Sequence, residues 1–185
     1  LTLGTIAAPW VLAQEIVDDK NVPFNPDIKV AILKRGIPAY ILKNSKPQDH
    51  IDLILTVNAG AVLEEADQDG LAHFCEHMAF NGTKEFPKQR LVDFLESTGI
   101  RFGADLNAYT NQDETVYMLT LPKNTLTMLR DGVKVLRDWA AYVTYADEDI
   151  EEERGVVMEE WRLGKGAEDR MFEAHAPYLY HGSKY

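Results

Sequence analysis

Of the five histidines in this 185-residue chain, two stand four residues apart in "GLAHFCEHMAFNGT", with a glutamate directly before the second. On a helix, His73, Glu76 and His77 occupy positions i, i+3 and i+4 and project from one side. Two imidazoles one turn apart can bind a single ion at about 2.0–2.1 Å, the usual Zn–N distance. Glu76 need not be a ligand. A carboxylate in its place can take a proton from a water at the ion and later pass it to a departing amine. The order is that of the His-Glu-x-x-His zinc helix written backwards. The bland alternative is a helix whose histidines merely bond to nearby backbone.

Two histidines make an incomplete site, because catalytic zinc usually has three protein ligands and one open position. The missing carboxylate or imidazole must come from another element, and the glutamate-rich "DEDIEEERGVVMEEWRLG", residues 147–164, is the place to look. Advancing about 100° per residue along a helix, Ile150, Val156, Val157 and Trp161 mark a buried side. Glu152 and Glu159 then face water and Glu151 is borderline. Glu153 and Glu160 fall between Val156 and Val157, inside the apolar stripe. Unpaired charge is costly to bury, so these two carboxylates need a partner. Zinc is one candidate, and Arg154, Arg162 or another basic side chain is the other. Phasing does not choose between Glu153 and Glu160.

The elements that must hold these residues can be read from periodicity. "IKVAILKRGIPAYILKN" alternates around Arg35-Gly36 as a hairpin, and "HIDLILTVNAGAVLEE" reads as a strand ending near Gly60. Gly70 precedes a helix that runs through about Phe80, and "FPKQRLVDFLESTGI" predicts a second one with Pro87 near its start. Residues 101–123 return to two strands flanking an Asn111–Glu114 turn. Long helices follow from about Thr125 to Tyr142 and from Glu148 to about Leu163, the latter capped by Asp147. The final stretch, "AEDRMFEAHAPYLYHGSKY", begins as a helix and halts. Strands joined by hairpin-like connections and interleaved with helices predict an α+β domain, with a mainly antiparallel sheet and helices packed on one face.

Composition removes several alternatives. Thirty acidic against nineteen basic residues give a formal charge of −11, which excludes nucleic acid as the main partner. The lone Cys75 excludes an internal disulfide and a cysteine-rich zinc site. No run reaches the ~20 apolar residues of a membrane span. "LTLGTIAAPWVLAQ" is uncharged until Glu15, and "VLA" before Gln14 has the form of a cleavage site. Residues 1–27 are therefore read as a signal-peptide remnant and linker, with an apolar first strand or a docked N-terminal segment as the alternative, and residues 28–185 as the folded domain.

Taken together and in order, "GLAHFCEHMAFNGTKEFP", "LNAYTNQDETVY" and "ERGVVMEEWR" resemble the pitrilysin/insulinase family of zinc peptidases, which includes mitochondrial processing peptidase and bacterial periplasmic or secreted proteases. The resemblance implies one Zn2+ per chain held by His73, His77 and Glu160, with Glu76 as general base and Glu153 orienting the site. It implies a peptide or protein substrate whose backbone is held by Asn107 and Ala108 on an edge strand, and a periplasmic or secreted location. Family members are longer, with further domains that enclose the substrate and supply an Arg/Tyr pair at the tetrahedral intermediate. The expectation is a first catalytic domain truncated at its C-terminal end, cleaving peptides poorly by itself. Two rivals stand beside it: a non-catalytic partner or scaffold domain of the same fold, and a zinc-stabilised binding module. Closed structural zinc sites favour four protein ligands, usually including cysteine, whereas Cys75 points off the histidine face by ~200°.

Overall fold

The computed structural model describes residues 23–88, 90–101 and 103–185, so most of the segment read as a signal remnant lies outside the described residues. The chain divides into two units, Leu1–Gln48 and Asp49–Tyr185. In the first, β1 (Ile28–Ile32) and β2 (Pro38–Leu42) pair antiparallel, with Val30 opposite Tyr40. The turn between them is the one expected at Arg35-Gly36, and both residues have positive φ.

Alternation along residues 51–57 and a largely buried run at residues 115–121 build the sheet of the second unit. β3 (Ile51–Val57), β4 (Leu106–Thr110) and β5 (Thr115–Leu121) form an antiparallel sheet in the order β3-β5-β4. Leu53, Leu55, Tyr117, Leu119, Leu106 and Ala108 face a core with residues of α1 (Leu71–Asn81), α2 (Arg90–Ser97) and α3 (Leu126–Ala141). Each of these helices supplies apolar anchors to that core: Ala79 from α1, Leu91 and Leu95 from α2, Val135 and Trp139 from α3. The fold class is thus α+β with an antiparallel sheet. β4 pairs with β5 alone; among the described residues its outer edge carries no strand. No described helix is long and apolar enough to cross a membrane.

Both ends of α1 are fixed by charge. At its start, Glu64 accepts hydrogen bonds from the Gly70 and Ala72 amides at 3.0 and 2.6 Å, an anion where the helix dipole favours one. Past its end, the fully buried Asp138 of α3 accepts from the Thr83 hydroxyl and the Glu85 amide, both at 2.9 Å, and from Arg137. Trp139 donates to the Ala79 carbonyl at 3.1 Å. Helix α1 is therefore clamped along its length before any ligand is considered.

The remaining helices are α4 (Asp147–Gly164), which packs against α1, and α5 (Ala167–Leu179). Two expectations need correction, the cap of α4 and its buried stripe. Asp147 does not cap α4: Ala146 holds the cap position, and Asp147, Glu148 and Asp149 form the acidic first turn. Helix α2 begins at Arg90, three residues after Pro87 as expected, and ahead of it Lys88 takes a positive φ of 49° and reaches Asp149 at 2.9 Å. The apolar stripe of α4 is not a buried one. Val156 and Trp161 are 47% and 56% exposed, Val157 and Glu153 are half-buried, and Glu160 is exposed. Only one flank of this helix meets α1, so hydrophobicity alone misjudges how much of it is covered.

Two predictions follow from these supports. A Cβ on the buried Gly60 would lie 2.2 Å from the Asn111 carbonyl oxygen and 2.7 Å from Gln112 backbone atoms. Those carbonyls already accept from the Ala61 and Val62 amides at 3.0 and 2.9 Å, so they have little room to retreat. Gly60→Ala is expected to cost about 2–3 kcal/mol in chemical denaturation. Burial pushes the Asp138 carboxyl up, but Arg137, the Glu85 amide and the Thr83 hydroxyl outweigh burial and hold it below the usual carboxylate range. A depressed folded-state pKa gives stability that is present above the unfolded value and is lost as pH falls through the folded one. Asp138→Ala should therefore lower Tm at neutral pH, with the gap to wild type narrowing in acid.

Candidate metal centre

Helix α1 presents His73, Glu76 and His77 on one side, and α4 brings Glu153 and Glu160 against them. His77 Nε2 lies 3.1 Å from His73 Nε2 and 3.3 Å from Glu160 Oε2, and His73 Nε2 lies 3.6 Å from the same oxygen. Among the described residues these three form a group whose ligand atoms all fall within 4.8 Å of one another. An ion with bonds of about 2.0–2.1 Å at tetrahedral angles separates its ligand atoms by about 3.3–3.4 Å. The observed edges, 3.1–3.6 Å, bracket that separation.

The chemistry of the donor set agrees. His77 Nδ1 lies 2.7 Å from Glu153 Oε1, and Asn81 donates its side-chain amide to the other oxygen of Glu153. A proton on Nδ1, assigned from this hydrogen bond, leaves Nε2 with its lone pair turned toward Glu160 and His73. Ring-nitrogen lone pairs and a carboxylate oxygen in mutual contact are stabilised by a cation among them. The residues fit a zinc ion. The His77 and Glu153 side chains are 17% and 16% exposed, against 42% and 49% for His73 and Glu160. One flank of the triangle is packed and the other opens to solvent, where a further ligand can enter.

Glu76 stays out of the triangle. The residue is buried, 7% exposed, and Oε2 accepts a hydrogen bond from Thr110 Oγ1 of β4 at 2.8 Å. Nearby, Tyr117 stacks on Trp139 with ring centroids 5.3 Å apart. Burial first, and then the Glu76 carboxylate, push the Tyr117 phenol above its ordinary value and keep it neutral. Cys75 interacts with Tyr145 rather than with the histidines; burial and this thiol push the Tyr145 phenol up to about 12.

Asn107 and Ala108 lie on the one-sided strand β4, and the Asn107 side-chain oxygen accepts from the Ala108 amide at 2.9 Å. The structure thus brings His73, His77, Glu160 and Glu153 into contact, places Glu76 on the same helical face, and puts Asn107 and Ala108 on the strand that reaches Glu76 through Thr110. Two contributors, Asn81 and Thr110, escaped sequence reasoning. Asn81 stands one helical turn beyond His77, and Thr110 shares a strand face with Ala108. Those spacings were the available signals.

Comparison with known proteins bears on the whole domain. The sequence pattern of the insulinase family, described as Insulinase (Peptidase family M16), matches residues 39–174. The chain is 39% identical over 177 residues to the "Probable zinc protease PqqL" of Escherichia coli strain K12, covering 96% of this chain and 19% of that protein. It is 40% identical over 148 residues to the protein of the same name from Haemophilus influenzae, covering 80% and 16%. The crystal structure of the first half of the periplasmic protease PqqL from Escherichia coli superposes with a TM-score of 0.83 at 36% identity, covering 88% of this chain and 35% of that one. The chain therefore spans only 16–19% of the length of these curated relatives. A match over most of the chain, with relatives alike in both sequence and fold, means that it belongs to the insulinase family, peptidase family M16.

Proposed function

We propose that this chain is the zinc-binding catalytic domain of an endopeptidase. The observation that carries this reading is the triangle of His73 Nε2, His77 Nε2 and Glu160 Oε2, with edges of 3.1–3.6 Å, one helical turn from a buried Glu76. One zinc ion per chain would be held by His73, His77 and Glu160, with Glu153 fixing the His77 ring. When bound, zinc supplies a Lewis acid that polarises the scissile carbonyl and lowers the pKa of water.

The chain's own residues supply the remaining steps. Glu76 takes a proton from the attacking water as the new C–O bond forms, then delivers it to the amide nitrogen as the C–N bond breaks. The free edge of β4 accepts the substrate as an added strand, with Asn107 and Ala108 contacting its backbone. Cleavage belongs to a longer polypeptide, on the pattern of relatives several times this length, whose further parts enclose the substrate. The 185-residue chain alone is at most weakly active. By the likeness to the periplasmic PqqL, the compartment is periplasmic or secreted.

Two experiments test this. In the full-length enzyme Glu76→Gln should abolish turnover of a fluorogenic peptide while zinc stays near one per chain; retained turnover would remove Glu76 as the base. In metal analysis, Glu160→Gln should lose most of its zinc. Glu153→Gln should retain the ion but bind it about 10–100-fold more weakly in chelator competition. Equal retention by wild type and Glu160→Gln would sink the proposed ligand set.

A further inference from the structure

Resting on the peptidase reading, we propose that Thr110 is the positioning residue of the base: its hydroxyl pins Glu76 Oε2 and leaves Oε1 as the atom that receives the proton. A carboxylate has two oxygens and a rotatable end, so a base on a helix presents either oxygen at variable angles unless one is held. Here one is held. Thr110 Oγ1 donates to Glu76 Oε2 at 2.8 Å across 34 residues of sequence. Among the described residues this is the side-chain hydrogen bond that reaches Glu76, itself a buried residue. Its loss would leave that oxygen without a donor among the described residues.

Thr110 is itself fixed by a directed chain. Thr115, buried and opposite Thr110 in the β4–β5 register, donates to the Ala59 carbonyl at 2.9 Å. A hydroxyl has one proton, so the proton of Thr115 is committed to Ala59 and that of Thr110 to Glu76. The remaining contact, 3.3 Å between the two hydroxyl oxygens, fixes spacing rather than carrying a strong bond. Ala59 precedes Gly60, the position at which the backbone meets Asn111 and Gln112 too closely for any Cβ. The carboxylate orientation is therefore inherited from backbone at residues 59–60 through two threonines. Thr110 also shares strand β4 with Asn107 and Ala108, so the element that would seat a substrate is the one that aims the base.

The test uses the zinc-loaded full-length enzyme and one fluorogenic peptide. Thr110→Val keeps the shape and removes the donor. It should lower kcat about 10- to 100-fold while KM moves less than about threefold, the effect of a misaimed rather than an absent base. Thr110→Ser restores the hydroxyl and should recover most of kcat. Zinc content should match wild type in both. Tm should match it in the serine variant and fall by a few degrees in the valine one, which leaves a buried carboxylate oxygen without its donor. A crystal structure of Thr110→Val should show the Glu76 carboxylate turned away from its wild-type orientation. Thr110→Ala serves in place of the valine variant if that one folds poorly. Wild-type kcat in Thr110→Val, or a serine variant as slow as the valine one, would overturn the proposal. Glu76→Gln separates the two layers. If it is inactive while Thr110→Val is unimpaired, only the role of Thr110 falls; if it is active, the general-base reading falls with it.

Discussion

The hydrogen bond between His77 Nδ1 and Glu153 is the contact on which the geometry of the site depends. It joins the two helices that carry every candidate ligand, and it settles three matters together. It fixes the His77 ring angle, it selects the tautomer that turns Nε2 toward the triangle, and it sets the rotation of α4 about its axis. Glu160, two turns further along that helix, lies on the same side as the docked Glu153 and meets both histidines. Asn81 reinforces the same carboxylate from α1, so the second oxygen of Glu153 is also occupied by the opposing helix. The Lys88–Asp149 pair pins the start of α4 independently.

Much of this was legible in the sequence, for a simple reason. Contacts within one helix are fixed by spacing, so His73, Glu76 and His77 could be placed on one side without any tertiary knowledge. The strands around the Asn111–Glu114 turn were equally legible, since alternation of apolar residues dictates which side chains face a core. Phasing also narrowed the acidic helix to Glu153 and Glu160, although its premise of a buried stripe was wrong for Val156 and Trp161. An apolar face in a sequence states what would be stable under cover; it does not state how much cover arrives. Glu153 and Glu160 meet the histidines at the margin of the covered flank, which is why one is half-buried and the other exposed.

What was illegible depended on sheet order and on single backbone angles. The link from Thr110 to Glu76 exists because β4 lies at the sheet edge beside α1, a fact of topology rather than of local pattern. The positive φ of Lys88, just ahead of α2, and its pair with Asp149 some sixty residues away leave no local signal. Asp147 has the right side chain for a cap and the wrong position, since the helix begins at that residue and uses its charge within the first turn. Such features are set by what the chain meets after it folds.

The two-turn interval between Glu153 and Glu160 carries an implication for how this helix can vary. Adding one residue between them would swing the distal carboxylate by about 100° and carry it off the shared focus. The same addition at the bend around Lys165–Gly166, beyond the helix, would leave both carboxylates in place. Length changes in this region are thus confined to its far end, and the segment between the two glutamates behaves as a ruler that tolerates new side chains but no new units.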